Sequence, residues 1–372
     1  MKHRFQVLDI FRGIFASIVA LFHLSGFSNT PILNNPFLEN SDMFVDFFFV
    51  LSGFVIVYNY ESIANVDQFK LFLQKRLLRI YPLHLLMLLL FVLMEVSKHF
   101  ASAYIQVNRL ENEHNNIYSF FTSLFLLNSV KLFDVKDVSW NIPSWSISAE
   151  MICYVVFGLT LLGLSHYNMQ RKKSTIFSLI VLIAISLLII ITHTFQVNFS
   201  YDYGFLRGII GFFSGALCYF AFNTYYNSVK QVKDSLFDFF ETGILAIICI
   251  MMYYGAILKD ISLVYEIAFF IAIFIFSFEK GILSRLLKKS TFLKNVGTYS
   301  YSIYMTHALL LSLFNIVFIR VLKFEPSSYS FLVFLNYYFI YKVSQWTYTH
   351  IEMRFKFKKK VMQKVAYKGS AV

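Results

Sequence analysis

The chain has 372 residues, of which 58% are hydrophobic, 19% aromatic and only 15% charged, with a formal net charge of +12. An ordinary soluble domain is about 45–50% apolar and about 25% charged, so this composition excludes a water-soluble globular enzyme. There is too little polar surface to cover a fold of this size, and the apolar residues run in long blocks between short charged segments. The basic excess sits in those segments and at the C-terminus with no folded basic domain around it, which argues for membrane topology and against a nucleic-acid partner.

Stretches of about 17–25 predominantly apolar residues predict an all-α, polytopic integral membrane protein of about ten transmembrane helices. They fall near 8–27, 42–60, 80–97, 145–165, 175–194, 204–226, 237–254, 262–279, 297–318 and 329–350. With the N-terminus in the cytosol, the inward segments hold 23 of the 33 lysines and arginines, the outward segments seven, and Arg12, Arg207 and Lys342 lie inside spans. That asymmetry places both termini in the cytosol. The first block is interrupted by Asp9 and Arg12 and ends without a small-residue cleavage site, as in a retained span rather than a signal peptide. One transmembrane domain over 1–350 and a basic cytosolic tail over 351–372 are expected. Between the third and fourth spans, Ile117–Leu127 is too short to cross a bilayer and reads as a re-entrant or interfacial helix. Cys153, Cys218 and Cys249 sit within apolar blocks, an odd set that fits buried thiols and neither a disulfide framework nor a metal site.

Ionisable residues inside spans cost at least about 2.5–3.5 kcal/mol on insertion scales, so each demands a partner, a wet cavity or a function. The first span holds Asp9, Arg12 and His23. Eleven residues separate Arg12 from His23, close to three helical turns, so both share a face about 16 Å apart along the axis. Asp9 and Arg12 also fit a snorkelling i,i+3 pair. In the second span Asp46 precedes Phe48, Phe49, Ser52, Gly53 and Phe54, and the Ser-Gly step permits close approach of a helix or a ligand. Arg76 and Arg79 stand at the cytosolic mouth of the third span with Pro82 at its first turn. They suit either the gripping of phosphate or ordinary positive-inside anchoring. Trp140 and Trp145 fit an interfacial aromatic belt. Glu150 follows, a turn or so into the fourth span at the depth of His23, where a carboxylate would fix an imidazole tautomer and raise its basicity. Late in the chain, Tyr301, Ser302, Tyr304 and His307 put a second histidine inside a span, as a pathway residue or a helix contact.

In this order the segments resemble acyltransferase family 3, integral membrane proteins that include bacterial surface-polysaccharide O-acetyltransferases. The elements are Asp9, Arg12, Gly13 and His23; Phe48, Phe49, Ser52, Gly53 and Phe54; Arg76, Arg79 and Pro82; Trp145, Ser146 and Glu150; and Tyr301, Ser302, Tyr304 and His307. One departure is Glu352-Met353-Arg354, where the family commonly has Glu-x-Pro. The resemblance implies transfer of an acyl group, usually acetyl from cytosolic acetyl-CoA as co-substrate and without a metal, to a hydroxyl of a cell-surface or lipid-linked polysaccharide. It implies His23 and Glu150 as catalytic residues and Arg12, Arg76, Arg79, Ser52 and Gly53 as donor-binding residues, the pantetheine arm bridging Arg12 to His23. Asp9, Asp46, Trp145, Tyr304 and His307 remain substrate-binding or structural candidates. The bacterial plasma (inner) membrane is the expected location, with donor arriving from the cytosol and acceptor outside. Many relatives carry an extracytoplasmic hydrolase-like domain that this sequence lacks, so it is expected to act alone, as a homo-oligomer, or with a separate extracytoplasmic protein. The rival reading is a transporter or flippase for a lipid-linked glycan, for which intramembrane Arg, His and Glu would line a polar pathway; no half-to-half repeat supports it.

Overall fold

A computed structural model describes residues 4–103, 112–132 and 135–355. Every regular element among them is helical. In chain order these are α1 (Gln6–Ser25), α2 (Pro36–Glu39), α3 (Phe44–Asn59), α4 (Val66–Ala101), α5 (Ile117–Leu124) and α6 (Ser144–His166). Then come α7 (Lys173–Thr192), α8 (Gly204–Lys230), α9 (Asp234–Tyr253), α10 (Gly255–Leu258) and α11 (Leu263–Phe276). The chain closes with α12 (Ile282–Leu287), α13 (Thr291–Thr298), α14 (Ser300–Asn315), α15 (Tyr329–Thr347) and α16 (Met353–Phe355).

Eight segments, built on α1, α3, α4, α6, α7, α8, α9 and α14, are long and apolar enough to cross a membrane. The expected spans at 262–279 and 329–350 are helical too. However, α11 is apolar over only 14 residues, and α15 carries Asn336, Lys342 and Gln345 along its 19. The tail expected over 351–372 lies outside the described residues from 356 onward.

One local expectation is corrected and another is given its detail. Pro82 is not in the first turn of its helix: α4 begins at Val66, where Asn65 accepts a 2.9 Å hydrogen bond from the Gln68 amide, and Pro82 lies in its interior. The polar first turns, with Asp67, Lys70 and Lys75, fall below a hydropathy threshold yet remain helical because that cap satisfies an amide the helix cannot. The amphipathic stretch at 117–127 folds as eight residues of helix with Asn116 and Ser119 capping one another. Its polar face is inward: Ser119, Thr122 and Ser123 are buried, while Ile117, Tyr118, Phe121 and Phe125 are exposed. Apolar side chains turned outward suit a helix lying at the level of lipid.

Two glycine crossings set the centre. A Cβ on Gly53 would overlap the Phe212 carbonyl, and one on Gly215 the Val50 carbonyl, so α3 and α8 meet backbone to backbone. Gly13 meets the backbone at Val296 and Gly297 in the same way, bringing α1 against α13. The first crossing fixes one wall of the cavity described next, and the second delivers Arg12 to it.

Candidate active site

A cavity opens between α1, α3, α4, α6 and α14, with about 840 Å³ of empty space that includes its mouth to solvent. Its wall includes Arg12, Arg76 and Arg79 against a single carboxylate, Glu150. The remaining wall is largely apolar, from Val45, Phe48 and Phe49 to Val55 and Ile56 along α3. The eleven residue steps from Val45 to Ile56 cover about 16 Å at 1.5 Å per residue.

The three arginines are held to different degrees. Arg12 donates to Ser300 Oγ at 2.7 Å and to the Gly297 carbonyl at 3.3 Å, and pairs with Asp9 at 3.4 Å. Asp9 also accepts from Arg4 at 2.8 Å, so the i,i+3 pair expected from the sequence is present within a larger network. Arg76 lies over the rings of Tyr60 and Tyr154, 5.4 and 6.0 Å from their centroids, and donates to the Tyr60 hydroxyl at 3.2 Å. Its Nε is buried with no hydrogen-bond partner. No described residue gives Arg79 a hydrogen bond or ion pair; Tyr154, Glu150, Glu352 and Asp9 lie within its electrostatic reach.

Glu150 belongs to this arginine end. Its Oε1 accepts from Ser52 at 2.7 Å and from the Tyr154 hydroxyl. Ser52 lines the cavity, whereas the neighbouring Gly53 faces away from it and is taken up by the α8 crossing. The two residues of the Ser-Gly step thus serve different faces of one helix, as their 100° angular offset allows.

Asp46 and Trp145 lie off the cavity wall, in a buried network. Arg207 donates through Nε and Nη2 to the two Asp46 oxygens at 2.6 and 2.9 Å and through Nη1 to Asn198 Oδ1 at 2.7 Å. Trp145 covers the Arg207 guanidinium at 5.3 Å. From the sequence Arg207 stands only as a charge inside a span with no role and Glu266 is not named, although both are flagged by the rule on charges inside spans. Tyr154 was also signalled, since it lies four residues after Glu150 and so on the same helix face.

At the opposite end of the cavity Tyr304 shares a 2.9 Å hydrogen bond with Ser146, and its ring touches both Phe48 and His307, at 5.7 and 5.8 Å. Beyond it, His307 faces His23 with ring centroids 5.2 Å apart. His23 is partly exposed and His307 fully buried. No hydrogen bond joins His23 to Glu150 among the described residues; the ring beside His23 is that of His307. The cavity wall therefore runs from a cluster of guanidinium groups, past apolar side chains, to Tyr304; the two imidazoles lie behind Tyr304 and are not among the lining residues.

A family model described as an acyltransferase domain, acyltransferase family 3, matches residues 5–344. The chain belongs to that family. No curated protein and no solved structure matches it. It is a membrane acyltransferase, and general chemistry says what such groups can do. Guanidinium groups with open donor positions bind an anionic donor. A wall of apolar side chains shields a reacting ester from water, and an imidazole within reach of that wall can carry a proton or an acyl group.

Proposed function

We propose that this acyltransferase moves an acetyl group from acetyl-CoA, bound from the cytosol, to a hydroxyl of a cell-surface or lipid-linked polysaccharide on the far side of a bacterial inner membrane. The observation that carries the reading is the cavity itself, three arginines at one end and about 16 Å of apolar wall leading to Tyr304, behind which His307 and His23 pair. Arg76 and Arg79 hold the nucleotide phosphates, Arg12 guides the pantetheine arm, and the thioester reaches the His23 end. Glu150, bound to Ser52 and Tyr154, offsets part of the positive charge where the donor sits. The concentration of lysine and arginine in the inward segments supports donor arrival from the cytosol.

The acceptor hydroxyl oxygen attacks the thioester carbonyl carbon and the C–S bond breaks. His23 takes the hydroxyl proton and returns it to the departing thiolate, so protons balance without a further reactant. In a two-step variant of the same exchange His23 carries the acetyl group between donor and acceptor. Trapping labelled acyl-protein under single-turnover conditions separates the two. A transporter would leave acetyl content unchanged while altering the amount of exported glycan.

The test is the alkali-labile O-acetyl content of surface glycans, measured by proton NMR in a deletion strain complemented with wild type or His23→Ala at matched membrane abundance. Wild type restores the acetyl signal and His23→Ala does not. Acetylation that is independent of the gene would defeat the proposal.

A further inference from the structure

We infer that His307 is the positioning residue for His23, accepting its ring N–H and thereby fixing which nitrogen of His23 faces the reacting groups. The inference deepens the reading above and rests on His23 as the group that meets the thioester.

The argument begins with a tautomer. His307 Nδ1 lies 3.2 Å from the carbonyl oxygen of Ile303, one turn earlier on α14. A carbonyl only accepts, so Nδ1 carries the proton and the neutral ring presents a lone pair at Nε2. That Nε2 is buried and has no hydrogen-bond partner. A buried acceptor left unmade is costly, by about 1–3 kcal/mol, and a donor is expected for it. His23 supplies the adjacent ring, centred 5.2 Å away and inclined by 32°, a spacing that permits one N–H···N contact when the rings turn edge to edge. Catalytic hydrogen bonds are often long in a substrate-free protein and tighten in the reacting complex.

The other groups near His23 each have a partner elsewhere, although Asp42 Oδ1 accepts no hydrogen bond among the described residues. Glu150 accepts from Ser52 and Tyr154. Asp42, the carboxylate within electrostatic reach of His23, pairs with Lys259 at 2.7 Å. Tyr304 is engaged with Ser146. With its N–H held by His307, His23 keeps a lone pair directed at the acceptor hydroxyl, and the imidazolium formed on proton transfer is stabilised by the same contact. Proton transfer then follows the balance given above, with His307 gaining and losing none.

Two variants and two readouts decide the matter. His307→Leu removes the acceptor, while His307→Gln offers an amide oxygen near the position of Nε2. In membranes, mass spectrometry follows the rate at which diethyl pyrocarbonate modifies His23, a measure of imidazole nucleophilicity that needs no acyl transfer. In parallel, kcat and KM are determined for acetyl-CoA turnover. His307→Leu is expected to slow both His23 modification and kcat by about 10–100-fold, the usual cost of losing a group that orients a functional histidine, with KM within about twofold. His307→Gln is expected to recover most of both. Wild-type modification rates in His307→Leu, or equal losses in the leucine and glutamine variants, would overturn the inference. If wild type itself shows no acetyl-CoA turnover, the functional reading falls, and the modification rates still judge the pair.

Discussion

Arg207 and the pair Arg76/Arg79 are the same residue type in the same membrane-embedded bundle, but they are partnered in opposite ways. Arg207 is 2% exposed, bound through two nitrogens to Asp46, bound again to Asn198, and covered by Trp145. Arg76 leaves its Nε unpartnered, and Arg79 is fixed by no ion pair among the described residues. A guanidinium has five N–H donors, and the number already taken separates a group that holds helices together from one prepared for a ligand. Charge inside a span is therefore a weak indicator of role by itself, whereas unmet donor capacity on a cavity wall points to an anionic guest.

Breaking the saturated side should have the larger effect. Asp46→Ala strands Arg207 in a buried site, a change that costs about 3–5 kcal/mol when one partner of a buried pair is removed. The expected result is a sharp loss of folded protein by thermal melting and size-exclusion in detergent. An Asp46→Ala protein that melts like wild type would contradict a structural role for that pair. On the open side, Arg79→Ala should leave the melt within about 1 kcal/mol, because few bonds are lost, while KM for the acyl-CoA rises about 10–100-fold from loss of a charge-assisted contact worth about 1.5–3 kcal/mol. Isothermal titration with desacyl-CoA checks the same point without turnover. A melting loss as large as that of Asp46→Ala, at unchanged affinity, would erase the distinction between the two arginine sites. Smallest is Ser52→Ala, which removes one donor to Glu150 and leaves Tyr154 in place. About a two- to tenfold loss in kcat/KM is expected, corresponding to a net hydrogen bond of about 0.5–1.5 kcal/mol.

Much of this was legible wherever a local rule applied. Helical periodicity alone placed Arg12 and His23 on one face, and the structure puts Arg12 on the cavity wall with His23 farther along the same helix. The neighbours of these residues were not legible, because they come from distant segments. Arg207 lies 161 residues from Asp46 and Glu150 lies 98 from Ser52, and nothing in either local sequence specifies the other. Glu150 and His23 have similar expected depths, which suggested a pair, but depth leaves rotation about the bundle axis undetermined. The start of α4 was misplaced for a different reason: hydropathy reports where lipid begins, whereas the cap at Asn65 determines where the helix begins. The π-helical turn over Tyr348–Glu352 brings Glu352 to the Ser302 hydroxyl and within reach of Arg79, so the segment that departs from the family's Glu-x-Pro lies near the arginine end of the cavity. Such turns cannot be anticipated from α-helical spacing.

The glycine crossing of α3 and α8 also bears on how the enzyme would admit the proposed acyl-CoA donor. Where Gly53 and Gly215 bring two backbones together, there is no side chain whose rotamer could change to let the helices separate, and close-packed interfaces do not deform continuously. That wall behaves as a fixed plate. Accommodation then falls to the facing wall, where α14 is tied to α4 by the Tyr301 hydroxyl donating to the Ile80 carbonyl at 2.5 Å. A side-chain hydrogen bond can break and re-form at modest cost, whereas two interlocked backbones cannot part, which makes the α14–α4 contact the more yielding seam of the chamber and the glycine seam its frame.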